Sequence, residues 1–164
     1  MDKNRSKTPQ GERRQLAEFA RRALEAWRSD ATAEYEQLVK TYEGCSAVVG
    51  VFGLGSITVT VSGGVAQVHE EAPDRQPKVI GRGAAFPETI VALSEGRITP
   101  IEAFHAGDLV VRADSEELHR AYGLMVKMTD SAVRSKRLQS VLKDFRAMAQ
   151  TEPGRDNPGR TTTY

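Results

Sequence analysis

The sequence predicts an α+β fold, with helices at both ends and a run of short strands between them. Three observations carry this. Apolar residues recur at helical spacing near both ends of the 164-residue chain. Period-two alternation with glycine punctuation fills the middle. A compact block at 84–114 then sets two short helices and a strand between glycine stops.

Met1–Gly11 is polar and aperiodic and reads as a disordered leader. Leu16, Phe19, Ala20, Ala23 and Trp27 then form one stripe of an amphipathic helix. Ser29-Asp30 supplies a break and an N-cap for a second stripe at Tyr35, Leu38, Val39 and Tyr42, stopped by Gly44. One kinked helix fits the same residues. Ser46–Phe52 is a Val-rich strand, and Ser56–Ser62 (SITVTVS) alternates cleanly, as in a sheet with one buried face. Gly63-Gly64 signals a hairpin into Val65–Glu70. Pro77–Arg82 reads as a fourth strand, near an edge because proline lacks an N–H. The natural topology is an antiparallel meander.

In the 84–114 block, Pro87 starts a helix with Ile90, Val91 and Leu93 inward and Gly96 as its stop. Thr99-Pro100 caps and starts the next, with Ile101 and Phe104 inward and Gly107 ending it. Leu109–Ala113 is a strand. Asp114-Ser115 caps a helix with Glu117 placed for a capping box, and Leu118, Tyr122, Leu124, Met125 and Met128 lie along it. Val133–Gln150 is strongly amphipathic, with Leu138, Val141, Leu142, Phe145 and Met148 opposite a basic face. Thr151–Tyr164 reads as a disordered tail.

Composition narrows the function. The formal net charge of +1 gives no global case for nucleic acid or an anionic membrane. The single cysteine, Cys45, excludes an intrachain disulfide. The N-terminal residues lack the apolar core of a secretory signal, and the longest apolar run, Ala47–Leu54, is too short to span a membrane. A soluble cytoplasmic protein is the expectation.

Gly96, Thr99-Pro100, Ala103-Phe104, Gly107 and Asp114 stand in an order that resembles the sterol carrier protein type-two (SCP-2) lipid-binding domain. The resemblance covers roughly 35–148. Ala113 stands where that family usually has glycine, and Asp108 replaces a more usual basic residue. The resemblance implies a single domain over 12–150, its N-terminal helix longer than the family's. It implies a largely antiparallel five-stranded sheet covered on one face by helices, with an apolar tunnel between. It also implies a soluble carrier or sequestering protein for a lipid or other apolar small molecule, with no cofactor. Phe52, Phe86, Ile90, Leu93, Phe104, Leu118, Tyr122, Met125 and Met128 are the candidate lining; Phe104 and the two methionines serve equally well as plain core.

A second reading is a small biosynthetic enzyme that cyclises or isomerises a hydrophobic substrate in the same pocket. Its polar candidates are His105, Asp108, Tyr122 and Arg82. His69 and His119 read as exposed, Cys45 as buried packing, and no spacing suggests a metal site. Gly50–Gly55 lacks the Lys-Ser/Thr of a phosphate loop. A third reading is a homodimer packed through the Phe19 and Trp27 stripe.

Overall fold

Val48, Val49 and Val51 give β1 (Cys45–Val51) apolar side chains on both faces, and this strand takes the middle of a five-stranded sheet ordered β3-β2-β1-β4-β5. The computed structural model describes residues 9–75 and 77–150, the side chains of Pro9 and Gln150 aside. The leader through residue 8 and the tail from residue 151 lie outside the described residues.

β2 (Gly55–Ser62) and β3 (Val65–His69) form the expected hairpin across Gly63-Gly64. The Glu43 carboxylate accepts both glycine N–H groups, at 2.6 and 3.1 Å. The meander then fails. β4 (Lys78–Ala85) does not join β3; it lies parallel to β1, while β1–β2, β2–β3 and β4–β5 are antiparallel. The sheet is therefore mixed. A parallel neighbour needs a long crossover, and the β2–β3 hairpin supplies it. β4 is also no edge strand. Pro77 precedes its first residue and leaves the ladder intact, its carbonyl accepting the Ser46 hydroxyl at 2.9 Å.

The helices are α1 (Pro9–Asp30), α2 (Thr32–Thr41), α3 (Pro87–Ser94), α4 (Pro100–His105), α5 (Ser115–Arg134) and α6 (Lys136–Gln150), with β5 (Leu109–Arg112) between α4 and α5. α1 begins at Pro9, so the last residues assigned to the leader are helical. Its apolar stripe is used inside the chain. Leu16 and Ala17 pack with Ile57 and Phe145, and Phe19 meets Phe145 edge-on at 5.5 Å. Trp27 meets Tyr35 at 5.9 Å. The surface assigned to a dimer is thus the chain's own core.

The cap of α2 differs from expectation. α2 is capped by Ala31 without a side-chain bond. Asp30 instead reaches across to the α5–α6 junction, accepting the Ser135 hydroxyl at 2.6 Å and the Arg137 N–H at 3.4 Å. Ser135 in turn accepts the Leu138 N–H at 3.0 Å, so one acid ties three helices. That hydrogen bond from Ser135 holds the Asp30 carboxyl below its ordinary value of 3.8. A lowered folded-state value means that the contact contributes above the unfolded value and is lost as pH falls through the folded one. Thermal melts below about pH 4 should therefore fall more steeply for the native chain than for Asp30→Asn. Matching acid limbs would remove this role.

α4 carries the full Thr99–Glu102 capping box, which holds the Glu102 carboxyl below its usual range. It buries Pro100 and Ala103, and Ile101 and Phe104 face outward, against expectation. Six residues make less than two turns, so the short Ala103 edge settles against Ala85 and Leu109 and turns the bulky pair away. Among the described residues no helix is long and apolar enough to cross a membrane.

Candidate functional site

Paired residues of neighbouring strands share a face, so the register shows what lies beneath the helices. One row runs Ile57, Val49, Gly83, Val111 from β2 to β5. Ile57 is 2% exposed under α1, yet its partner Val49, on the same face, is 40% exposed. Next to it Gly83 has no side chain. The adjacent row runs Val59, Ala47, Gly81, again ending on glycine. The row at the other side, Val51, Ala85 and Leu109, is sealed.

The core accordingly divides into clusters around this strip. One joins α1 and α6 to β2 and β3, one gathers Trp27, Tyr35, Val39, Tyr42 and Val61, and one surrounds Ala85, Ala103 and Leu109. Ala47 and Val49 pack into none of them. A Cβ added at Gly83 would meet only the Val110 carbonyl oxygen, at 3.6 Å.

α5 passes over this half of the sheet. It is amphipathic, but from Ser115 to Asp130 it buries no residue fully. Leu124 touches the Trp27 cluster and Met125 the Ala103 cluster, both half-buried. Here an amphipathic helix with half-buried Leu124 and Met125 faces a strip of valine, alanine and glycine rather than a sealed row of large side chains. Ile90 and Leu93 of α3 border it from the Ala103 side.

The other candidate lining residues are spread more widely. Phe52 and Phe86 stack at 4.7 Å between ring centroids, beyond the ends of β1 and β4, with Phe52 exposed. Leu118 is half-buried on α5, while Tyr122 and Met128 are exposed. Phe104 lies outside, its ring 6.2 Å from His105.

The polar candidates come from β4, α4, α5 and the turn before β5. Arg82 pairs with Val48 and so occupies the sheet face opposite Gly81 and Gly83. His105 is exposed at the end of α4, Asp108 is half-buried before β5, and Tyr122 stands on α5. His69, expected to be exposed, is half-buried and shares a 2.9 Å hydrogen bond with Thr60. Cys45 is half-buried rather than buried. Among the described residues no group of three His, Cys, Asp or Glu could hold a metal ion.

Among the described residues three buried polar atoms have no hydrogen-bond partner: Trp27 Nε1, Glu117 Oε2 and Arg13 Nε. Glu117 completes only half of its expected capping box. Its N–H bonds Asp114 at 2.9 Å, but its side chain turns to Arg120 at 3.3 Å. Sequence reasoning did not place Val49, Gly81, Gly83, Trp27 or Glu117 in a site. The spacing Gly81-Arg82-Gly83 inside a strand was the available signal, since strand glycine marks a close approach or an open space.

A groove of about 570 Å³ between α1 and α6 is lined by Arg21, Arg22, Glu25, Ala26, Ser29, Arg137 and Val141. Its arginines are engaged by the Val68 carbonyl, Asp144 and Asp30. It is a seam between two helices, bridged by these ion pairs and hydrogen bonds.

The fold is thus an α+β layer pair, a mixed five-stranded sheet under helices. No family model matches the chain, and no curated protein does. Among solved structures it is similar to a UbiJ-SCP2 ubiquinone synthesis protein, at 16% identity over 57% of this chain and 74% of that one, TM-score 0.42. It is also similar to apo sterol carrier protein 2 from Yarrowia lipolytica, at 12% over 66% and 88%, TM-score 0.46. A third is a conserved hypothetical protein from Thermus thermophilus described as possibly a sterol carrier protein, at 18% over 69% and 85%, TM-score 0.43.

Proposed function

We propose that this chain binds an apolar small molecule or lipid between the β1–β4–β5 part of its sheet and the helices α3 and α5, as a carrier or sequestering protein. The observation that carries the reading is the contrast between Val49 and Ile57: paired, on one face, yet exposed and buried respectively. A ligand over Val49, Gly81 and Gly83 would take the place of the missing side chains. It would also cover the inner edge of α5, whose Leu124 and Met125 are half-buried. Methionine adapts to ligands of differing shape.

No covalent chemistry is required. Each methylene moved out of water supplies about 0.8 kcal/mol, before the cost of immobilising the ligand. The enzyme reading is the weaker of the two, because Arg82 and Tyr122 lie on different layers and His105 is exposed.

The test is native mass spectrometry of the chain mixed with a total lipid extract, followed by organic extraction of the bound fraction. One apolar molecule retained per chain is expected. A chain that neither carries nor takes up any apolar compound would sink the reading.

A further inference from the structure

We propose that the outer face of β1, β4 and β5, on the side of the sheet away from the apolar strip, binds a small aromatic phosphate. Arg82 and Arg112 hold its phosphoryl group, and the Phe52–Phe86 pair meets its ring. This site uses the opposite face and is independent of the binding mode above.

The register sets Arg82 directly opposite Arg112 on neighbouring strands. Side chains so paired have Cβ atoms about 4.5–5.5 Å apart, and like charges there repel. Both residues are exposed, and among the described residues neither forms an ion pair with a carboxylate. The five strands carry Lys78, Arg82, Arg112 and His69 but no acid, in a chain with 22 Asp and Glu. Of the acids flanking β5, Asp114 accepts the Glu117 N–H at 2.9 Å and Asp108 stands at the far end of the strand from Arg112.

The connection from β3 to β4 passes two strands, and the helices hold the inner face. Ser46, Thr58 and Thr60 of the outer face are accordingly buried, with the Pro77 carbonyl on the Ser46 hydroxyl at 2.9 Å. Over β4 and β5 this face stays open, and Arg82, Val110 and Arg112 are exposed. The next row along it is Gly50, Ala84 and Val110. A Cβ on Gly50 would come within 3.3 Å of the Ala84 Cβ, so glycine keeps this floor low. Beyond it Phe86, extended at φ −73° and ψ 151° after buried Ala85, turns to the outer side and stacks on exposed Phe52. Phe86 follows Arg82 by four residues, about 13 Å along a strand. Cations, a low floor and an aromatic wall thus succeed one another along β4.

A single arginine fork satisfies a carboxylate. Two guanidiniums side by side match a phosphate monoester, which carries about −1.5 to −2 charges and three acceptor oxygens.

The full chain is titrated by calorimetry at pH 8 and constant ionic strength with phenyl phosphate, inorganic phosphate and benzoate. Phenyl phosphate is expected to bind at least about tenfold more tightly than either other probe. Arg82→Gln and Arg112→Gln should each weaken it by about tenfold or more, and Phe52→Ala should bring it down to the level of inorganic phosphate. Because the paired charges repel, Arg82→Gln should melt no lower than the native chain at low salt, which separates lost binding from a lost fold. No binding of phenyl phosphate, equal affinity for benzoate, or affinity unchanged in both arginine variants overturns the proposal. Tighter binding of a single-stranded oligonucleotide than of phenyl phosphate also overturns it, and would make this face a nucleic-acid surface.

Discussion

Trp27→Ala is expected to destabilise the fold by about 3–5 kcal/mol, the range for emptying a large buried aromatic site. Trp27 is 2% exposed, meets Tyr35 edge-on, and packs with Val39, Tyr42 and Val61. α2 and the sheet would both lose their contact. Truncation of residues 1–29 should go further and leave the chain unfolded, because Leu16, Ala17 and Phe19 join Ile57 and Phe145 in the neighbouring cluster. Guanidinium melts followed by circular dichroism give both values. A truncated chain that melts cooperatively, or sediments as a stable monomer, would mean that α1 is an appendage after all.

Gly83→Val should move stability and binding in opposite directions. Glycine inside a strand costs roughly 0.5–1 kcal/mol relative to alanine, and valine suits a pleated surface. A Cβ added there meets only the Val110 carbonyl oxygen, at an ordinary 3.6 Å. A gain of that size raises the melting temperature of a chain this long by about 1–4 °C. The same methyl groups would occupy the space above the floor, and affinity for hexadecanol should fall by more than about tenfold. Gly81→Val supplies the contrast: its Cβ would come within 3.3 Å of both the Ala113 Cβ and the Arg112 carbonyl oxygen, so that variant should lose stability. Gly83→Val melting lower than the native chain would show that the space is already filled.

Much of the fold was legible because local rules and tertiary packing agree. The 84–114 block lies where its punctuation puts it: Pro87 and Pro100 open α3 and α4, Gly96 and Gly107 follow their ends at positive φ, and Asp114 caps α5. What could not be read was long-range. Nothing local says that β4 pairs with β1 rather than β3, since that depends on which strand is apolar on both faces. Asp30 looked like a local cap because its partner Ser135 is 105 residues away. The inward setting of Ile101 and Phe104 failed because a helix as short as α4 buries only its small edge. The proposed site is a different matter. Met125, Ile90 and Leu93 enter its candidate lining with the family resemblance, while the proposed floor is made of side chains that are small or missing, which periodicity does not detect.

The central claim is that an apolar ligand lies over Val49. Methyl-labelled chain with protonated hexadecanol tests it in one spectrum. Nuclear Overhauser contacts from the alkyl chain to the Val49 and Met125 methyls, lost in Gly83→Val, are the expected result. Contacts confined to the outward Ile101 and Val110 methyls, with Val49 unchanged, would place the ligand on the surface and contradict the claim.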